Sequence, residues 1–82
     1  MRVALVCKDK PDSLNIRLEN RAAHLEHIRA SGVVEMAGPF LDTAGTMCGS
    51  LVILEVETLA QAQDWAAADP YAKAGLFQSV EI

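Results

Sequence analysis

The apolar run Val3-Ala4-Leu5-Val6-Cys7 is the first ordered pattern in the chain, and it stops at Lys8-Asp9-Lys10-Pro11. A short apolar run bounded by charge and proline is a strand signature. Asp12 and Ser13 follow, either of which can cap a helix N-terminus, and the period then becomes helical over residues 14–30, with Gly32 as the C-terminal breaker. Residues 33–37 predict a second strand that runs into Gly38-Pro39-Phe40-Leu41. Asp42-Thr43-Ala44-Gly45 is turn chemistry, and residues 48–56 return as a third strand, which makes a β-hairpin. Thr58-Leu59-Ala60-Gln61 is a capping box that opens a second helix through residue 68. Asp69-Pro70 closes it, because a residue before proline avoids the helical region. Residues 71–75 predict one more helical turn and residues 76–82 a last strand.

The order β-α-β-β-α-β is the ferredoxin-like arrangement, an α+β fold in which both helices cover one face of a four-stranded antiparallel sheet. The third strand then carries extra information. Leu51-Val52-Ile53-Leu54 is apolar on both parities, whereas a strand with one wet face alternates. Two helices cover only one face, so the other face is expected to pack on the same face of a second copy, giving a homodimer.

At 82 residues the chain is a single domain, and a core of this size is marginal by itself, which also favours association. A composition 51% hydrophobic and 22% charged excludes a disordered segment. The net charge of −4 argues against nucleic acid, which requires a basic footprint. MRVALVCKDK turns polar after Cys7 and no apolar run approaches 18 residues, so neither a signal peptide nor a membrane span is expected and the cytoplasm is the expected compartment. Cys7 and Cys48 are far apart, with no ligand spacing for zinc. Both read as small buried strand residues, a disulfide being the lesser alternative. Two cysteines also cannot hold a cysteine-ligated iron–sulfur cluster, which removes an electron-transfer ferredoxin. No phosphate-binding loop or GxGxxG is present, so neither a nucleotide cofactor nor a metal is expected.

Candidate chemistry concentrates in RAAHLEHI, residues 21–28. At about 100° per residue, Leu14, Leu18, Leu25 and Ile28 share an arc roughly 80° wide, which is expected to face the sheet. Arg21 falls inside that arc. It either snorkels past the strand ends or turns its guanidinium toward a pocket, where it can orient a carboxylate or phenolate-like oxygen. His24 sits about 40° beyond the Ile28 edge, a boundary position suited either to packing or to a shielded proton transfer. His27 falls on the far side with Glu19, Asn20 and Ala23 and is expected to face water.

An acid/base histidine works best with a carboxylate that fixes its tautomer. Asp69, at the end of the second helix beside a rigid proline, is the best-placed candidate; its plain alternative is a helix-terminating Asp-Pro turn. Asp64 and Glu57 are less suited, on an exposed helix face and in a loop. Gly38-Pro39 interrupts a strand, which marks either an edge bulge or the close approach of a ligand. Ser50, beside Gly49, can supply a hydroxyl but lacks the elbow of a serine nucleophile.

Four stretches in chain order resemble the YCII-related (YciI-like) family: the first strand leading into KDKPDSL, then RAAHLEHI, AGPFLD, and AAADPYAKAGLFQSVEI. The resemblance spans the whole chain, and DPY-x-x-AGLF with R-x-x-HL is its more specific part. It implies a ferredoxin-like subunit that dimerises into an α+β barrel similar to muconolactone isomerase-type proteins. It also implies a His–Asp pair in a cleft, here His24 and Asp69, with Arg21, Gly38, Pro39, Ser50 and Tyr71 at positions that line it. One enzyme type in the family removes chloride from a chlorinated hydroxyhydroquinone without a cofactor. Relatives continue past the last strand into a tail with a proline and aromatic residues, whereas the sequence here stops at Ile82. Two functions follow: a cofactor-independent enzyme that moves a proton on a small oxygenated ring, or a non-catalytic dimeric module that binds a small ligand or partner.

Overall fold

The computed structural model describes residues 1–82. Strand β1 (Arg2–Asp9) leads into helix α1 (Leu14–Ser31), followed by the hairpin of β2 (Val34–Leu41) and β3 (Met47–Glu55). Helix α2 (Leu59–Ala68), the single turn α3 (Pro70–Lys73) and strand β4 (Phe77–Glu81) complete the chain. The sheet order is β2-β3-β1-β4 with every neighbouring pair antiparallel, which is the ferredoxin-like α+β arrangement. The capping box forms as read, with Thr58 accepting from the Gln61 N–H at 3.2 Å and Gln61 reaching back to the Thr58 N–H. Ser13 occupies the N-cap of α1 without capping it; its hydroxyl donates instead to the Pro11 carbonyl. Gly32, in the left-handed conformation at φ 67°, ends the helix.

The pleat sorts the sheet into two faces. Val3, Leu5 and Cys7 of β1 stand opposite Leu54, Val52 and Ser50 of β3, and these parities face the helices. With Val56 and with Ala62 and Trp65 of α2, all of these but Ser50 make the apolar core. The opposite parity pairs Ala4 with Ile53 and Val6 with Leu51, and β2 adds Met36 and Phe40 beside them. No helix covers this second face, so Leu51 and Ile53 remain partly exposed and Met36 is 61% exposed. At Gly49 the Phe40 ring lies across the strand, and a Cβ there would collide with the Cys7 carbonyl oxygen.

Several expectations change once the elements pack. Gly38-Pro39 does not interrupt its strand: β2 runs through both, and the register shifts fall at Val34/Met36 and Phe40/Leu41. Strand β2 is at the sheet edge, where a residue without an N–H is tolerated. Cys7 is buried as expected, whereas Cys48 is exposed, and both are free thiols. Strand parity does not bury a residue that lies at the exposed end of a hairpin.

The larger correction concerns the roll of α1. The leucine stripe does not face the sheet: Leu14, Leu18 and Leu25 are 37%, 55% and 39% exposed, while Arg17 and His24 are the buried residues of this helix. At 100° per residue the buried arc is turned by about 80–90° from the predicted one, and only Ile28 belongs to both. His27 is accordingly half-buried rather than facing water. Its ring lies 4.5 Å from Trp65, and its Nε2–H donates to the Trp65 carbonyl at 3.1 Å. The Trp65 indole N–H in turn donates to Ser31 Oγ at 3.0 Å. Directional contacts set the roll. Any other rotation would leave buried carboxylates on β1 and after α2 without their partners, which costs more than exposing leucines.

Candidate active site

The buried face of α1 presents Arg17 and His24, seven residues and about two turns apart, toward α3 and the end of the sheet. Asp69 ends α2 and caps α3, with Pro70 fixing the first position of the new turn. One carboxylate oxygen, Oδ1, accepts the Tyr71 backbone N–H at 3.0 Å and faces His24 Nδ1 at 2.8 Å. Both side chains are buried. A carboxylate only accepts, so Nδ1 carries the proton, and in the neutral ring Nε2 keeps its lone pair. Tyr71 stacks on the imidazole at 4.0 Å and 14°, and Phe77 braces the tyrosine edge-on at 6.0 Å.

Arg17 is fixed from three sides. Its Nε and Nη2 donate to the two oxygens of Asp9, both at 2.8 Å, and Nη2 also donates to Ser50 Oγ at 3.0 Å. The guanidinium carbon lies 4.7 Å from the centre of the Tyr71 ring. Burial works against the Arg17 charge, but the hydrogen bonds and charge of Asp9 outweigh it and hold the group above the ordinary arginine range. Burial pushes the Tyr71 phenol up, against the opposing charges of Arg17 and Arg21, so the phenol keeps its proton at neutral pH.

These groups border one cleft of about 150 Å³ between α1 and the β2–β3 hairpin. A cavity of that volume takes one benzene-sized ring. His24, Arg21, Gly38, Pro39, Ser50 and Tyr71 all line it, and Asp69 stands behind His24. The residues singled out in the sequence therefore converge. Arg21, expected in the apolar arc, lies exposed at the cleft and makes no hydrogen bond or ion pair with the protein. The buried arginine is Arg17, and sequence reasoning missed both it and Asp9. Two signals were available: Arg17 and His24 are seven residues apart and share a helix face, and Asp9 shares the inward parity of Cys7. The leucine stripe masked the first. No three His, Cys, Asp or Glu side chains converge to hold a metal ion.

The profile of the YCII-related domain matches residues 1–82. Protein YciI of Escherichia coli O6:H1 is 40% identical over 91 residues, covering 100% of this chain and 93% of the relative. An uncharacterized protein of Haemophilus influenzae is 35% identical over the same shares of both chains. Among solved structures, 5-chloro-2-hydroxyhydroquinone dehydrochlorinase (TftG) from Burkholderia phenoliruptrix AC1100, in complex with 2,5-dihydroxybenzoquinone, superposes with a TM-score of 0.90. It is 33% identical, with 100% of this chain and 92% of that chain covered. Matched over its full length by sequence and by fold, the chain belongs to the YCII-related domain family.

Proposed function

We propose that this protein is a cofactor-independent acid/base enzyme of the dehydrochlorinase type, acting on a single hydroxylated and chlorinated ring. The observation that carries this reading is the buried His24–Asp69 pair, 2.8 Å apart, beside a ring-sized cleft. In the proposed reaction His24 Nε2 moves a ring proton while Asp69 holds Nδ1–H and stabilises the imidazolium that forms. Arg21, free of protein partners at the cleft, orients a substrate oxygen, and Tyr71 supports the imidazole from its face. Net loss of HCl then places the proton on the base and releases chloride with its bonding electron pair. The dehydrochlorinase TftG, with the same fold at 33% identity, supports this reaction class.

The test is chloride release from 5-chloro-2-hydroxyhydroquinone. His24→Ala is expected to lower turnover by about 10²–10⁴-fold with the fold intact, and Asp69→Asn to lower it by shifting the tautomer. Full activity in His24→Ala would refute the mechanism. Ring binding without any chloride release would leave the protein a ligand-binding module.

The same reading takes the active form as a homodimer joined through the open sheet face. Ala4, Val6, Leu51 and Ile53 line the middle of that face, with Met36 and Phe40 on β2, and no helix covers them. Val6→Glu is expected to convert a dimer into a monomer in light scattering; a wild-type monomer would refute this assembly.

A further inference from the structure

The cleft has two chemically different ends, and the proposed reaction uses only one of them. Helix α1 and strand β3 border it in the same order, with Arg21, His24 and Ile28 along the helix and Ser50 then Val52 along the strand. Ser50 accepts from Arg17, one turn before Arg21, so the polar side chains of both elements share one end. Ile28 and Val52 therefore share the other. The β2–β3 register adds Ala37, which stands opposite Val52 and so projects from the same face of the sheet. Val52 is 1% exposed and Ile28 packs against the core, which fixes two walls of this end. Ala37 is the third wall, exposed on the edge strand. These three side chains offer carbon only.

We infer that Ile28, Ala37 and Val52 form a pocket for a ring substituent, which selects phenolic rings carrying one small apolar group, halogen or methyl, opposite the anchored oxygen. Ala37 sets how large that group can be. The inference rests on the cleft being the ring site and on Arg21 holding a ring oxygen. Ser50 and Val52 are two residues apart, about 7 Å along an extended strand, which matches a benzene ring bearing one atom at each end. A ring whose oxygen turns toward Arg21 thus directs its opposite carbon to this end. A hydroxyl or carboxylate there surrenders water and finds no side-chain partner, whereas a chlorine or methyl has no hydrogen bond to lose. The apolar group also exchanges water for carbon walls. A cavity of about 150 Å³ leaves little room beyond one ring, so a single added methyl decides the fit. A methyl is not a leaving group, so the pocket extends the ligands of the cleft beyond rings that can release chloride.

The probes are phenol, 2-methylphenol, 4-methylphenol and hydroquinone, titrated into the purified full chain and followed through the methyl NMR signals of Ile28, Ala37 and Val52. One methyl in an apolar pocket is worth about 10–200-fold, so 4-methylphenol is expected to bind more tightly than phenol or 2-methylphenol by that factor and to shift those three signals. Hydroquinone, with a hydroxyl of similar size in place of the methyl, is expected to gain nothing over phenol. Ala37→Leu fills the end from an exposed position and is expected to remove the preference while phenol still binds. Ile28→Ala lengthens the end and is expected to move the preference to 4-ethylphenol. Equal affinity for the two methylphenols, hydroquinone as tight as 4-methylphenol, or an unchanged preference in folded Ala37→Leu or Ile28→Ala would overturn the inference. Absence of saturable phenol binding would overturn the ring site and this pocket together. The readout involves no turnover, so a chain that shows the preference but releases no chloride fails the proposed reaction and retains the pocket.

Discussion

Replacing Asp9 with Ala tests the physical account of the site most directly. The substitution removes both acceptors of a guanidinium that is 3% exposed, together with two charge-assisted hydrogen bonds of 2.8 Å. Arg17 cannot shed its proton, so the folded state must bury an uncompensated charge or open the α1–β1 junction to water. Removing one partner of a buried pair costs about 3–5 kcal/mol. A domain of 82 residues has a total stability of about 4–12 kcal/mol at 0.05–0.15 kcal/mol per residue, so the variant should lie near the edge of folding. Urea unfolding followed through Trp65, the single tryptophan and one that is buried against His27, measures the difference. The double variant Asp9→Leu/Arg17→Met removes both charges and should recover most of the loss, because apolar replacement of a buried pair is often neutral or stabilising. A single-variant loss under about 1 kcal/mol, with no recovery in the double variant, would refute the reasoning and make this a screened surface pair.

The roll of α1 is checked by Leu18→Gln, which should stay within about 0.5 kcal/mol of wild type, while Leu54→Ala should cost about 2–5 kcal/mol. The opposite ranking would restore the leucine stripe to the core. Ellman's reagent at pH 8 should titrate one thiol, Cys48, in the folded chain and two after denaturation, since Cys7 is buried and its thiol is pushed up to about 11 from 9.0. The folded chain then holds the Cys7 proton through a range where the unfolded chain has released it. Stability present below pH 9 is therefore lost progressively as the pH rises from 9 toward 11, by about 3 kcal/mol at 1.36 kcal/mol per unit. Urea midpoints across that range should fall in the wild type and fall less in Cys7→Ala.

Local signals in this chain act within a few residues, and those are the features that could be read directly. The Thr58–Gln61 capping box, the Asp69-Pro70 stop, the Gly32 terminator and the doubly apolar Leu51–Leu54 run all describe short-range conformation or strand parity, and the fold follows from their order. His24 and Asp69 were nameable from helix angle and family resemblance, but their separation of 2.8 Å depends on α1 packing beside the α2–α3 junction. The roll of α1, the burial of Arg17 and the exposure of Arg21 belong to tertiary structure alone. A periodic apolar stripe gives a nondirectional preference that several rotations nearly satisfy, and a hydrogen-bonded ion pair across eight residues of chain admits only one. The sequence alone thus determined which elements form and in what order. Packing decided which face of the first helix meets the cleft, because buried charges tolerate no other arrangement.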